Sequence, residues 1–214
     1  MNQYYQPRRS GRSGAIPDVI FILLIANGAM FAAQNLLDGP TSATGPIGTY
    51  LALWPVGTGY RDFFPWQLLS YGFLHGDIMH IVFNMLMLWM FGRELEVLMG
   101  ARRFLTYYFT CVVGAGIVQL IVAGLQGGGY PTIGASGGVF GILLAFGMAF
   151  PNRTILLLIP PIPMKAKYLV VLMGLMELYF GVAGSRPGIA NFAHLGGMLF
   201  GFLLLTYWKK GPRR

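Results

Sequence analysis

Six apolar segments restrict what this chain can fold into more than any other feature. They are Pro17–Leu37, Asp77–Met99, Arg103–Gln126, Ser136–Phe150, Ala166–Val182 and Ile189–Trp208. A helix crosses the roughly 30 Å hydrocarbon core of a bilayer with about 20 residues, at a rise of about 1.5 Å each. Only 10% of the chain is charged, against about 25% in a soluble domain. The predicted fold class is an all-α membrane protein with six transmembrane helices. No repeat or second domain interrupts it, so the expected organisation is a basic tail over 1–16, a membrane domain over 17–208 and a second basic tail over 209–214.

The formal net charge is +8, yet its pattern is not that of a nucleic-acid surface. The basic residues gather at the ends of apolar segments, which is how membrane orientation is encoded. With six spans both termini share one side. That side holds Arg8, Arg9, Arg12, Arg93, Arg102, Arg103, Arg153, Lys165, Lys167, Lys209, Lys210, Arg213 and Arg214, while the other holds only Arg61 and Arg186. Both termini are therefore expected in the cytoplasm. The first apolar run lacks a small-x-small cleavage site and reads as a retained helix. The single cysteine, Cys111, lies in the third segment and reads as packing.

The first external connection, residues 38 to 76, is long and rich in aromatics: Tyr50, Trp54, Tyr60, Phe63, Phe64, Trp66, Tyr71 and Phe73. Such rings favour the membrane interface, so this loop is expected to lie partly in the outer leaflet.

Polar groups within a membrane are costly, and each is a functional candidate by default. His80 and Asn84 stand four apart on one face of the second segment, near its external end. His194 stands one or two turns below the external end of the sixth. The fourth segment has 15 residues before Pro151, about 22 Å of helix. Its first residue, Ser136, is therefore expected below the outer surface. Segments two, four and six run in the same direction, so His80, Ser136 and His194 converge at one depth. Gly137, Gly141 and Ala145 form a small-residue stripe on the fourth segment, and Gly197 and Gly201 a GxxxG on the sixth. Close packing of these two helices would bring His194 to Ser136.

Taken singly, Ser136 reads as a small residue at a helix contact and His194 as an interhelical hydrogen bond. Together at one depth they read as a nucleophile and its base. The start of the fourth helix offers unpaired N–H groups and a positive dipole end for an oxyanion. His80 and Asn84 either add donors there or bind the second helix to its neighbours. Asp77 reads as a helix N-cap, and His75 as a surface loop residue. Glu177 has two open readings, snorkelling or contact with the first loop, and no assigned role. A metal site from His75, His80 and His194 has no ligand spacing behind it.

These residues resemble the rhomboid family of intramembrane serine proteases. The resemblance rests on Gly134-Ala135-Ser136-Gly137, "HGDIMHIVFN" at 75 to 84, "AHLGGMLFG" at 193 to 201 and "GRELE" at 92 to 96. It implies the six-helix core of a prokaryotic rhomboid in the inner membrane, cleaving transmembrane helices of other proteins. It implies a Ser136–His194 dyad without an aspartate, and an oxyanion hole from the Ser136 N–H, His80 and Asn84. It also implies a cavity opening outward under the loop between helices five and six, and entry of substrate past helix five. Gly134, Gly137, Gly197 and Gly201 are the expected supporting glycines. Where many members have Trp-Arg in the first loop, this chain has Trp66-Gln67. Where many have tyrosine one turn after the serine, it has Phe140, whose ring can still support His194. No cofactor is implied. The partners implied are transmembrane substrates and the lipid bilayer; oligomeric state is not legible. The rival reading is a non-cleaving relative that binds transmembrane segments. A channel is disfavoured because helices two, four and six are apolar below the site.

Overall fold

A computed structural model describes residues 18–39, 45–57, 59, 61–157, 161–184 and 190–210. Helix α1, Asp18–Leu37, buries a single stripe that includes Ile20, Leu23, Asn27 and Gln34. Its first N–H groups have no partner within the helix. The buried Glu96 carboxylate accepts two of them, from Val19 at 3.0 Å and Ile20 at 2.9 Å, and an anion there also suits the helix dipole.

The first loop carries two short helices, α2 (Pro46–Leu51) and α3 (Gln67–Ser70), and a 3₁₀ turn, Tyr71–Phe73. Gln67 is fully buried. Its side-chain oxygen accepts from the Trp54 and Phe64 N–H groups, and its amide donates to the Tyr50 carbonyl, each at 3.3 Å. Trp66 donates from Nε1 to the same carbonyl at 2.9 Å and stacks on Phe64. The loop is thus anchored by a neutral amide.

Asp77 caps the next rod, accepting from the His80 N–H at 2.8 Å. The rod consists of α4 (Ile78–Met87), a π turn over Leu88–Gly92, and α5 (Arg93–Met99). Helix α6 (Ala101–Gln126) follows, burying Phe104, Tyr107, Tyr108, Cys111 and Ala115. Helix α7 (Ser136–Ala149) is buried on nearly every side, and the glycines along it let α6 and the last helix approach. Strands β1 (Thr154–Leu156) and β2 (Pro163–Lys165) pair antiparallel, Thr154 opposite Lys165, and lead into α8 (Ala166–Ala183). Helix α9 (Asn191–Lys210) buries His194, Gly197, Gly201 and Leu205 along one stripe.

Large apolar side chains point outward along the long helices: Ile22 and Ile25 on α1, Val171 and Leu175 on α8, Phe202 and Leu203 on α9. A water-soluble surface does not tolerate such bands, and the chain is an integral, multi-pass membrane protein built as an all-α bundle. By length and composition α1, α6 and α8 suffice to span a bilayer, and a fourth span arises if Gln67–Phe73 and Ile78–Met99, bent by 100°, count as one. Helix α7, with 14 residues, is shorter than a full span and is enclosed by its neighbouring helices.

Several expectations need adjustment. The second segment is one rod interrupted by the π turn, and the β1–β2 hairpin stands between α7 and α8 where the apolar pattern gives only a connection. Helix α9 extends through Lys209 and Lys210. The tail over 1–16 and residues 185–189 of the loop between α8 and α9 lie outside the described residues.

Candidate active site

Ser136 is the first residue of α7, and its preceding turn depends on Gly134, whose φ is +125°, a conformation that side chains rarely adopt. The Gly134 N–H donates to the Tyr71 carbonyl at 2.9 Å, tying the turn to the first loop. A Cβ at residue 134 would sit 2.7 Å from His80 Nε2 and 3.6 Å from Ser136 Oγ. The hydroxyl and the imidazole therefore border one small space that only a glycine leaves open.

Ser136 Oγ lies 2.8 Å from His194 Nε2, and His194 Nδ1 lies 2.9 Å from Glu177 Oε2. A carboxylate beside Nδ1 and a hydroxyl beside Nε2 are the partners that suit an imidazole protonated on Nδ1, whose Nε2 can accept from the hydroxyl. Phe140, one turn along α7, stacks on the His194 ring with centroids 4.3 Å apart and planes 5° from parallel. His194 and Glu177 are both buried.

Backbone proximity makes this reach possible. A Cβ at Gly197 would overlap the Gly137 carbonyl, so α9 and α7 touch through their main chains three residues beyond His194. Gly201 does not continue that contact: it faces Tyr107 and Cys111 of α6. Tyr107 donates its hydroxyl to the Gly141 carbonyl at 2.7 Å and fixes α7 from the other side.

His80 accepts at Nδ1 from the Gly76 N–H at 3.3 Å, which leaves Nε2 as a donor facing the space beside Ser136. Asn84 is less direct, since its Nδ2 donates to the His80 carbonyl at 3.0 Å on its own helix. His75 contradicts the surface expectation. It is fully buried, with its ring edge-on to His80 at 5.0 Å. Gln34 holds it there by accepting from the His75 N–H at 3.0 Å. Burial, reinforced by His80, holds its pKa down at about 4.

Glu177 corrects the sequence reading most. It neither snorkels nor meets the first loop, but is buried against His194. A signal was present: Gly174, Glu177 and Gly181 share one face of α8. Gly174 meets Met198 and Gly181 meets Phe192, both on α9.

The family model for the Rhomboid domain matches residues 63–210. Rhomboid protein 1, mitochondrial, of Saccharomyces cerevisiae is 33% identical over 154 residues, covering 69% of this chain and 43% of that protein. Rhomboid protease GlpG of Yersinia pestis is 31% identical over 189 residues, 88% of this chain and 58% of that one. Rhomboid protease GluP of Bacillus subtilis is 34% identical over 138 residues, 64% of this chain and 25% of that protein. The chain thus matches between a quarter and about three fifths of the length of these relatives.

Proposed function

The chain belongs to the rhomboid family, and from that premise we propose that it is an intramembrane serine endopeptidase that cuts transmembrane segments of other membrane proteins. The observation that carries this reading is the 2.8 Å contact between Ser136 Oγ and His194 Nε2. A serine hydroxyl becomes a useful nucleophile only when a base takes its proton as it attacks.

In the proposed reaction Oγ attacks the peptide carbonyl while its proton passes to Nε2. Negative charge gathers on the carbonyl oxygen, which the Ser136 N–H at the head of α7 and the His80 Nε2–H stabilise, with Asn84 beside them. The tetrahedral adduct collapses, the C–N bond breaks, and His194 gives its proton to the departing amine. Water then attacks the acyl-enzyme, losing a proton to His194, and the second collapse restores Ser136.

A substrate helix must open before this chemistry, because its carbonyls are engaged in i to i−4 hydrogen bonds. Glycine or proline near the cut lowers that cost, so substrates with such residues are favoured. Entry past α8 suits this helix, whose buried residues are few: Ala166, Leu169, Val170 and Glu177. We further propose six spans in a prokaryotic inner membrane with cytoplasmic termini, on the strength of the 13 to 2 distribution of basic residues.

The test is reconstitution in liposomes with single-span substrates, one carrying a Pro-Gly pair in its outer third and one uniformly leucine. Cleavage of the first by the parent, slower cleavage of the second and none by Ser136→Ala are expected. Equal cleavage by Ser136→Ala would overturn the assignment.

A further inference from the structure

We propose that Glu177 is a third member of this site, a positioning residue that sets the tautomer of His194 and offsets the charge the ring acquires. The inference rests on the reading of Ser136 and His194 as nucleophile and base, and extends it from a pair to a chain of three.

The geometry is sequential. Glu177 Oε2 is 2.9 Å from Nδ1, and Ser136 Oγ is 2.8 Å from Nε2 on the opposite side of the ring. Phe140 on one face holds the ring in plane. An imidazole with its proton on Nε2 would donate to the hydroxyl and could not accept from it. The carboxylate excludes that tautomer, since it can only accept from Nδ1–H. When the Ser136 proton reaches Nε2, the ring becomes an imidazolium, and the carboxylate is already beside it. Glu177 takes no proton at any step.

The placement of Glu177 argues against an incidental contact. A carboxylate buried in an apolar helix is costly unless its charge has a partner. Among the described residues no lysine or arginine is paired with it, and the one salt bridge there to a lysine or arginine joins Arg153 to Glu94. The ionisable groups facing His194 are Glu177 from α8 and, more distantly, His80 from α4. Helix α7 presents Ser136 and Phe140 to it. Small residues at Gly174 and Gly181 bring α8 close enough to α9 for the carboxylate to reach Nδ1.

The test compares the full-length protein with Glu177→Gln and Glu177→Leu in detergent. Glu177→Gln keeps the shape, and Glu177→Leu keeps an apolar packing partner of similar size. The readouts are the labelling rate of Ser136 by a fluorophosphonate, and kcat and KM on a transmembrane substrate. Thermal unfolding identifies any variant that does not fold, and Glu177→Gln decides if Glu177→Leu fails. The expected result is a fall in labelling rate and kcat of at least about 10²-fold, a lower bound beside the roughly 10⁴-fold loss when the carboxylate of a Ser-His-Asp triad becomes an amide. KM should stay within about threefold, because Glu177 acts after binding. A folded Glu177→Gln with the parental labelling rate and kcat would overturn the proposal while leaving the Ser136–His194 reading intact. A parent whose Ser136 is never labelled would overturn both.

Discussion

Replacing Gly197 by alanine should separate the two residues on which the proposed chemistry depends without touching either. The added Cβ would overlap the Gly137 carbonyl oxygen and lie 2.7 Å from its carbon and 3.2 Å from the Gly137 Cα. Non-bonded carbons rest at about 3.5 to 4.0 Å, so α9 and α7 must part by roughly 1 Å at this point. Both neighbours are backbone, and neither can rotate aside. Ser136 adjoins Gly137, and His194 is three residues before Gly197 on the same face, so most of that displacement reaches their hydrogen bond. A contact of 2.8 Å would open to roughly 3.6 Å or more, past useful hydrogen-bonding distance. A misplacement of about 1 Å typically lowers rate by about 10²-fold, and the overpacking itself costs about 1 to 3 kcal/mol. The assay is the rate of fluorophosphonate labelling in detergent beside the unfolding temperature. Gly124→Ala on α6 is the control, because nothing lies within 4 Å of that position, and it should label at the parental rate. A folded Gly197→Ala that labels as fast as the parent would refute the claim that main-chain contact between α7 and α9 positions the base.

Two further outcomes follow from the surroundings of the site. Phe140→Leu removes the ring stacked on His194; losing an aromatic contact of about 1 kcal/mol should lower kcat about fivefold, whereas Phe140→Tyr, which keeps the ring, should leave it near the parental value in the same cleavage assay. His75 gives a pH dependence of stability. Its folded pKa of about 4 lies below the ordinary 6.5, so between these values the unfolded chain binds a proton that the folded one does not. Stability should be fully present above pH 6.5 and fall as pH drops towards 4, by about 2 kcal/mol at pH 5. Unfolding midpoints at pH 7.5 and 5 in parent and His75→Gln would show this as a pH slope that the variant loses in part; an unchanged slope would count against it.

The parts of this structure legible in the sequence are those set by local cost. Apolar length placed the long helices to within about two residues of their ends, and Asp77 announced its own cap. The expense of polar groups in lipid singled out His80, Ser136 and His194, which lie close together in the fold, and small residues predicted the α7–α9 contact at Gly137 and Gly197. Other features depend on which face of a helix turns inward. In a soluble helix the apolar stripe answers that question, but lipid is as apolar as a protein core, so α8 carries no such stripe. Glu177 therefore had no assigned partner until α8 was set against α9. The same applies to Gly201, which faces α6. Gln67 and His75 are buried by contacts with residues distant in the chain, Tyr50 and Trp54 in one case and Gln34 in the other. No local pattern records those pairings.

The central claim is that Ser136 is a nucleophile activated by His194. Its most direct measurement is covalent labelling of the detergent-solubilised protein by a fluorophosphonate, with the modified residue identified by mass spectrometry, in parent, Ser136→Ala and His194→Ala. The account predicts label on Ser136 in the parent and none above background in either folded variant. A folded parent that stays unlabelled, or a folded His194→Ala that labels Ser136 at the parental rate, would contradict it.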